Sequence, residues 1–149
     1  MKPVKSLHTD FFSDNINHVS IGTLSQKQID FIEEKCPDYI GLLKPTTDII
    51  FWKDRIKHTE LHRDDFMSDI AYNNCFESIP EIIKFPDYIS VHPKDRSLIF
   101  IKELSAHISV AIRISPNGNM AFRTMYPITD AQLQNYITKN RAWKYPNTA

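Results

Sequence analysis

Glycine is scarce in this chain, three among 149 residues. That excludes a glycine-rich phosphate loop and a dinucleotide-binding fingerprint, both of which need the backbone to approach a phosphate closely. The two cysteines, Cys36 and Cys75, have neither metal-ligand spacing nor a Cys-x-x-Cys redox motif, so two free, mostly buried thiols in a reducing cytoplasm are expected. Net charge is missing as well: 18 basic side chains balance 18 acidic ones. A uniformly basic surface is thereby excluded, and any contact with nucleic acid must be a local patch. The segment Met1-Lys-Pro-Val-Lys-Ser-Leu-His8 carries no long apolar run, so the reading is neither a signal peptide nor a membrane span. Repeats and low-complexity segments are absent.

What is present is the make-up of an ordinary globular protein, 42% hydrophobic, 24% charged and 11% aromatic. The length fits one domain over residues 1–149, with an irregular arm over 1–24, a core over 25–140 and a tail over 141–149. Ser25-Gln-Lys-Gln28 is a capping box that starts a helix ended by Pro37, and Asp48-Ile-Ile-Phe-Trp52 reads as a short strand. A long central helix is expected from about Asp54 to Tyr72, with Ile56, Phe66, Met67 and Ile70 as its apolar stripe. A second capping box, Ser78-Ile-Pro-Glu81, launches a short helix that stops before Pro86.

The period then changes from helical to alternating. Tyr88 to His92, Ser97 to Leu104, His107 to Ile114 and Met120 to Tyr126 read as four successive strands, the last two joined by the hairpin loop Ser115-Pro-Asn-Gly118. In the third, Ile108, Val110, Ile112 and Ile114 face the core while His107, Ser109, Ala111 and Arg113 face away. Thr129 caps a closing helix. The fold class is therefore α+β: N-terminal helices packed with a four-stranded antiparallel sheet, then one C-terminal helix.

One stretch concentrates the chemistry. His58 and His62 lie four residues apart, which on a helix stacks them on one face, and Arg55, Lys57 and Arg63 flank them. Such a group can hold a phosphate, move protons or bind a metal. His-x-x-x-His is zinc-helix spacing, but Thr59 stands where a zincin has its glutamate, and third ligands such as His92, His107 or Glu103 must come from strands. Acid–base work on RNA needs a base, an acid for the leaving oxygen, and cations on the pentavalent phosphorane. The chain offers His58 and His62 for the first two. Lys102, on an otherwise apolar strand face, and Arg123 with Thr124 and Tyr126 offer the rest. Taken singly, each also has an ordinary reading as a packed or solvated side chain, and His92 and His107 are read as structural or solvated.

The blocks Lys53-Asp-Arg-Ile-Lys-His58-x3-His62, Ile79-Pro-Glu-Ile-Ile-Lys-Phe-Pro-Asp-Tyr-Ile89, Leu98-Ile-Phe-Ile-Lys102, Val110-Ala-Ile-Arg113 and Phe122-Arg-Thr-Met-Tyr-Pro127 follow in an order and spacing that resembles the phage barnase–EndoU–colicin–RelE-like nuclease domains. The resemblance covers roughly residues 45–140, with 20–45 a looser match. It implies a barnase-like fold and a metal-independent endoribonuclease of phage or toxin type, without cofactor. Such an enzyme cuts RNA, with tRNA one candidate, through the 2′-hydroxyl to a 2′,3′-cyclic phosphate. It also implies catalytic positions at His58, His62, Lys102, Arg123, Thr124 and Tyr126, while Arg55, Lys57, Arg63 and Arg113 are read as substrate-binding. Strand alternation, however, puts Arg123 on the face opposite Thr124 and Tyr126 unless a bulge intervenes. The expected partners are the RNA substrate and an inhibitor, immunity or host protein, with no membrane, in the cytoplasm of a bacterial host. The competing readings are a non-catalytic phage accessory protein that keeps the fold, and a His-ligated metal-dependent hydrolase.

Overall fold

The computed structural model describes residues 1–146. Its sheet has seven strands in the order β1-β2-β6-β5-β4-β3-β7. These are β1 His18–Thr23, β2 Asp48–Trp52, β3 Tyr88–His92, β4 Ser97–Glu103, β5 His107–Ile114, β6 Met120–Ile128 and β7 Ala142–Lys144. The expected four-stranded antiparallel meander is its centre, β3 to β6. The sheet as a whole is larger and mixed, because β2 pairs with β6 in parallel and carries β1 outside it.

Two of the added strands fall where irregular chain was expected. The 1–24 arm contains β1, which pairs with β2 through a register shift at Ser20 and Gly22. Gly22 has φ +142, a conformation open to glycine, and an isolated glycine in a strand marks such a bulge. The arm ahead of β1 is also tied down: Leu7 is buried, and its N–H donates to the Glu77 carbonyl. The 141–149 tail supplies β7, three residues too short to show a period, which pairs with β3. Residues 147–149 of that tail lie outside the described residues.

Five α-helices accompany the sheet: α1 Gln26–Lys35, α2 Arg55–Glu60, α3 Asp69–Glu77, α4 Ile79–Lys84 and α5 Asp130–Thr138. Ser25 forms the reciprocal capping box read from the sequence, and Thr129, read as a cap, forms a second one with Gln132. Ser78 precedes α4 without a side-chain cap bond. The long central helix does not form. α2 ends at Glu60, a 3-10 turn spans Arg63–Asp65, and Ser68 takes extended backbone and accepts from Ala71 N–H to cap α3. That cap competes with helix continuation through the same residues. The supposed stripe consequently splits: Phe66 is buried, while Met67 and Ile70 are 81% and 73% exposed.

The main core lies on one sheet face, where Leu98, Phe100, Ile108, Val110, Ile112 and Phe122 meet Ile29, Ile32, Ile79, Ile82 and Ile83 of α1 and α4. The other face, the outer one, is covered in part. There α5 lays Leu133, with Tyr136 and Ile137 beside it, over Ile99, Ile101, Ala111 and Ile128. Full burial of a leucine contributes about 2 kcal/mol, so Leu133 is a principal anchor of α5. Cys36 and Cys75 are free and buried, as expected. Among the described residues no helix is long and apolar enough to cross a membrane.

Candidate active site

The outer face carries the candidate chemistry. The pairing of β5 with β6 shifts register between Ala111, opposite Thr124, and Ile112, opposite Phe122. Arg123 is therefore the extra residue of a β-bulge, with no residue across from it. A bulge turns consecutive side chains toward the same side. Phe122 and Met125 remain in the core, whereas Arg123 reaches across the outer face and donates from Nη1 to Ser97 Oγ at 3.3 Å. Thr124, Tyr126 and Ile128 then follow on that face. The conflict between Arg123 and the Thr124–Tyr126 pair is resolved by one inserted residue.

The short helix α2 packs against β6. Arg55 fixes the contact: its Nε donates to the Arg123 carbonyl at 2.9 Å, and Nη2 donates to the same oxygen. Thr59, fully buried, donates back to the Arg55 carbonyl at 2.9 Å. Beyond Glu60 the last turn tightens, with His62 N–H on the Thr59 carbonyl. The histidines nevertheless stay neighbours, their ring centroids 6.2 Å apart, and His62 lies 6.1 Å from the Tyr126 ring. The group sits on an open surface: both histidines are only partly buried, and Arg123 is exposed.

Charge and burial set these groups apart. His58 is pushed below the usual histidine range by burial, then by Arg55, His62 and Arg123, so it is held neutral near pH 7. Asp65 Oδ2 stands 3.3 Å from His62 Nδ1 and holds the orientation of that ring. The Tyr126 hydroxyl is pushed up to about 12 by burial and by its hydrogen bond to Tyr136, against the pull of Arg123, so it keeps its proton. Thr124 Oγ1 is buried and has no hydrogen-bond partner among the described residues.

The other expected positions divide. Arg113 is exposed on the outer face, paired with Ser97 and Ala121 on either side. Lys57 is exposed on α2. Arg63 is committed elsewhere, with Glu60 at 3.6 Å, Asp69 at 3.4 Å and the Tyr72 ring beneath it. Lys102 is not part of the group. It shares the core-side register of Leu98 and Phe100, and its ammonium turns away to the Phe85 carbonyl at 2.8 Å. Of the third metal ligands considered, His92 bonds Ser90 and His107 bonds Asp130, while Glu103 is exposed. No group of three or more His, Cys, Asp or Glu side chains gathers among the described residues. Sequence reasoning missed Asp65, Ser97 and Tyr136. Asp65 was legible as the i+3 neighbour of His62, but the other two meet the site only through sheet pairing and the docking of α5.

Two adjacent imidazoles, a guanidinium and a protonated phenol on one face of a mixed sheet make a site suited to proton transfer beside an anion. The chain belongs to the phage-Barnase-EndoU-ColicinE5/D-RelE like nuclease3 family, whose model matches residues 25–135. That span holds every site residue expected from the sequence and leaves β1, β7 and Tyr136 outside. No curated protein and no solved structure matches the chain.

Proposed function

We propose that this nuclease-family domain is a metal-independent endoribonuclease that uses the RNA 2′-hydroxyl as its nucleophile. The observation that carries the reading is the bulge at Arg123, which sets a guanidinium beside the His58–His62 pair. His58, held neutral, takes the 2′-hydroxyl proton as that oxygen attacks phosphorus. His62, oriented by Asp65 at 3.3 Å from its Nδ1, gives a proton to the departing 5′-oxygen. The products are a 2′,3′-cyclic phosphate and a free 5′-hydroxyl, and the protonated His58 and neutral His62 exchange protons with water afterwards. Arg123 bears on the charge that builds on the phosphorane. Thr124 supplies a hydroxyl whose bonding capacity no described residue uses, and Tyr126 holds His62 in place through its ring.

The test is cleavage of RNA in EDTA with the ends of the fragments identified. The expected result is EDTA-insensitive cutting to cyclic-phosphate ends, no cutting at a 2′-deoxy position, and a loss of about 10²–10⁴-fold in His58→Ala and His62→Ala. Cleavage of an all-deoxy strand, or activity abolished by EDTA, would refute the mechanism. Intact RNA with well-folded protein would point instead to the non-catalytic accessory reading.

A further inference from the structure

The outer face segregates its charges. Next to Asp65, on one side of His62, a depression of about 580 Å³ is lined by Asp65, Glu103 and Asp130 together with His107. A polyanion is repelled from that side. The other side is built differently. One cross-strand row runs through Ala121 of β6, Arg113 of β5, Ser97 of β4 and His92 of β3. Arg123, whose charge reaches His58, donates into this row at Ser97, and the row ends at His92.

His92 opens onto a cleft of about 520 Å³ where β3, β7 and the end of α5 meet, lined also by Lys94, Lys139, Arg141 and Trp143. Among the described residues Asp95 is the one carboxylate lining it. Lys94, Lys139 and Arg141 are exposed and make no ion pair among the described residues. Capping does not account for the last two. The end of α5 is closed by backbone donors, Asn140 N–H to the Ile137 carbonyl at 3.1 Å and Arg141 N–H to the Tyr136 carbonyl at 2.9 Å, with Asn140 at φ +56. The Arg141 backbone is fixed in turn, because its carbonyl accepts from Ser90 Oγ and from Val91 N–H. On a chain of zero net charge, three such cations on a braced cleft are a concentrated anion-binding feature.

We propose that this cleft binds the backbone of single-stranded RNA, holding phosphates on Lys94, Lys139 and Arg141 while the strand runs along the Arg113–Ser97–His92 row toward His58 and His62. The half-buried Trp143 ring offers a surface for a base. The proposal rests on the ribonuclease reading for the direction of the strand, but its test does not depend on cleavage. Binding of a fluorescent 2′-O-methyl RNA, which offers no nucleophile, is measured against salt for the full chain. The same is done for Lys94→Gln/Lys139→Gln/Arg141→Gln, and for a control of equal charge change, Lys2→Gln/Lys5→Gln/Lys44→Gln. Leaving three phosphates of a single strand without their cations flattens the salt slope by about 2.1, so between about 50 and 200 mM salt the unaltered chain should weaken roughly 18-fold more than the cleft variant. The control should keep the original slope. Equal slopes in all three proteins, an equal loss in the control, or no RNA binding by the unaltered chain would overturn the proposal. RNA bound through the cleft yet never cut would remove the ribonuclease reading alone. Normal cutting of long RNA by a cleft variant with unchanged KM would remove the cleft alone.

Discussion

One oxygen, the Arg123 carbonyl, ties Arg55 of α2 to the sheet by hydrogen bonds. Arg55 places two donors on the Arg123 carbonyl at the bulge, and its charge is one cause of the depressed His58 pKa. Two substitutions separate these roles: Arg55→Ala removes donors and charge, whereas Arg55→Lys keeps the charge and loses the fork. A hydrogen bond from a charged donor contributes about 1.5–3 kcal/mol. Because Arg55 is only partly buried and both donors share one acceptor, about 1–2 kcal/mol is the appropriate figure here. For a chain of this length that is a fall in Tm of about 2–8 °C in either variant. Displacing Arg123 by an ångström costs the reaction about 10²-fold, so kcat/KM falls in both. The pH profile divides them. A base acts when neutral, so the acidic limb of kcat/KM reports the His58 pKa. With the Arg55 charge gone, one of the causes that lowers that pKa disappears and the pKa rises. The limb must move to higher pH in Arg55→Ala and stay in place in Arg55→Lys. A limb that stays put in Arg55→Ala, or moves to lower pH, would refute His58 as the base. Unchanged Tm and kcat/KM in both variants would refute the fork as the device that positions Arg123.

Two other outcomes follow from the same geometry. Lys102→Ala should leave RNA cleavage unaltered, because its ammonium serves the Phe85 carbonyl on the far side of the sheet, while Arg123→Ala lowers kcat by about 10²–10³-fold; a large loss in Lys102→Ala would show that the strand lysine acts in the reaction. Gly118→Ala should destabilise by about 2–4 kcal/mol, read as a fall in Tm of about 4–16 °C, because Gly118 has φ +90 and a Cβ there would stand 2.5 Å from the Leu42 backbone oxygen.

Much of the fold was legible because it depends on local signals. The alternation through residues 88–126 places all four central strands, and the box at Ser25 and the cap at Thr129 set their helices. Where local signals compete, reading fails. The 3.6-residue spacing from Ile56 to Ile70 resembles one helix, but Ser68 caps a new one and the stripe is not buried as a unit. Strands β1 and β7 carry weak patterns of their own and exist because an open sheet edge binds them.

The candidate site divides along the same line. The sequence alone determined that His58 and His62 are neighbours, because positions four apart stay close over one turn, and they do so even though α2 ends at Glu60 and the turn through His62 tightens. It also determined that Arg123, Thr124 and Tyr126 share a strand. Which face Arg123 takes was decided only in the folded sheet, where β6 fits one more residue than β5 between Phe122 and Thr124. The same pairing excluded Lys102, whose register turns it to the core side. A strand's own sequence sets the alternation of its side chains, but a bulge is a property of two strands together, and no single strand encodes it.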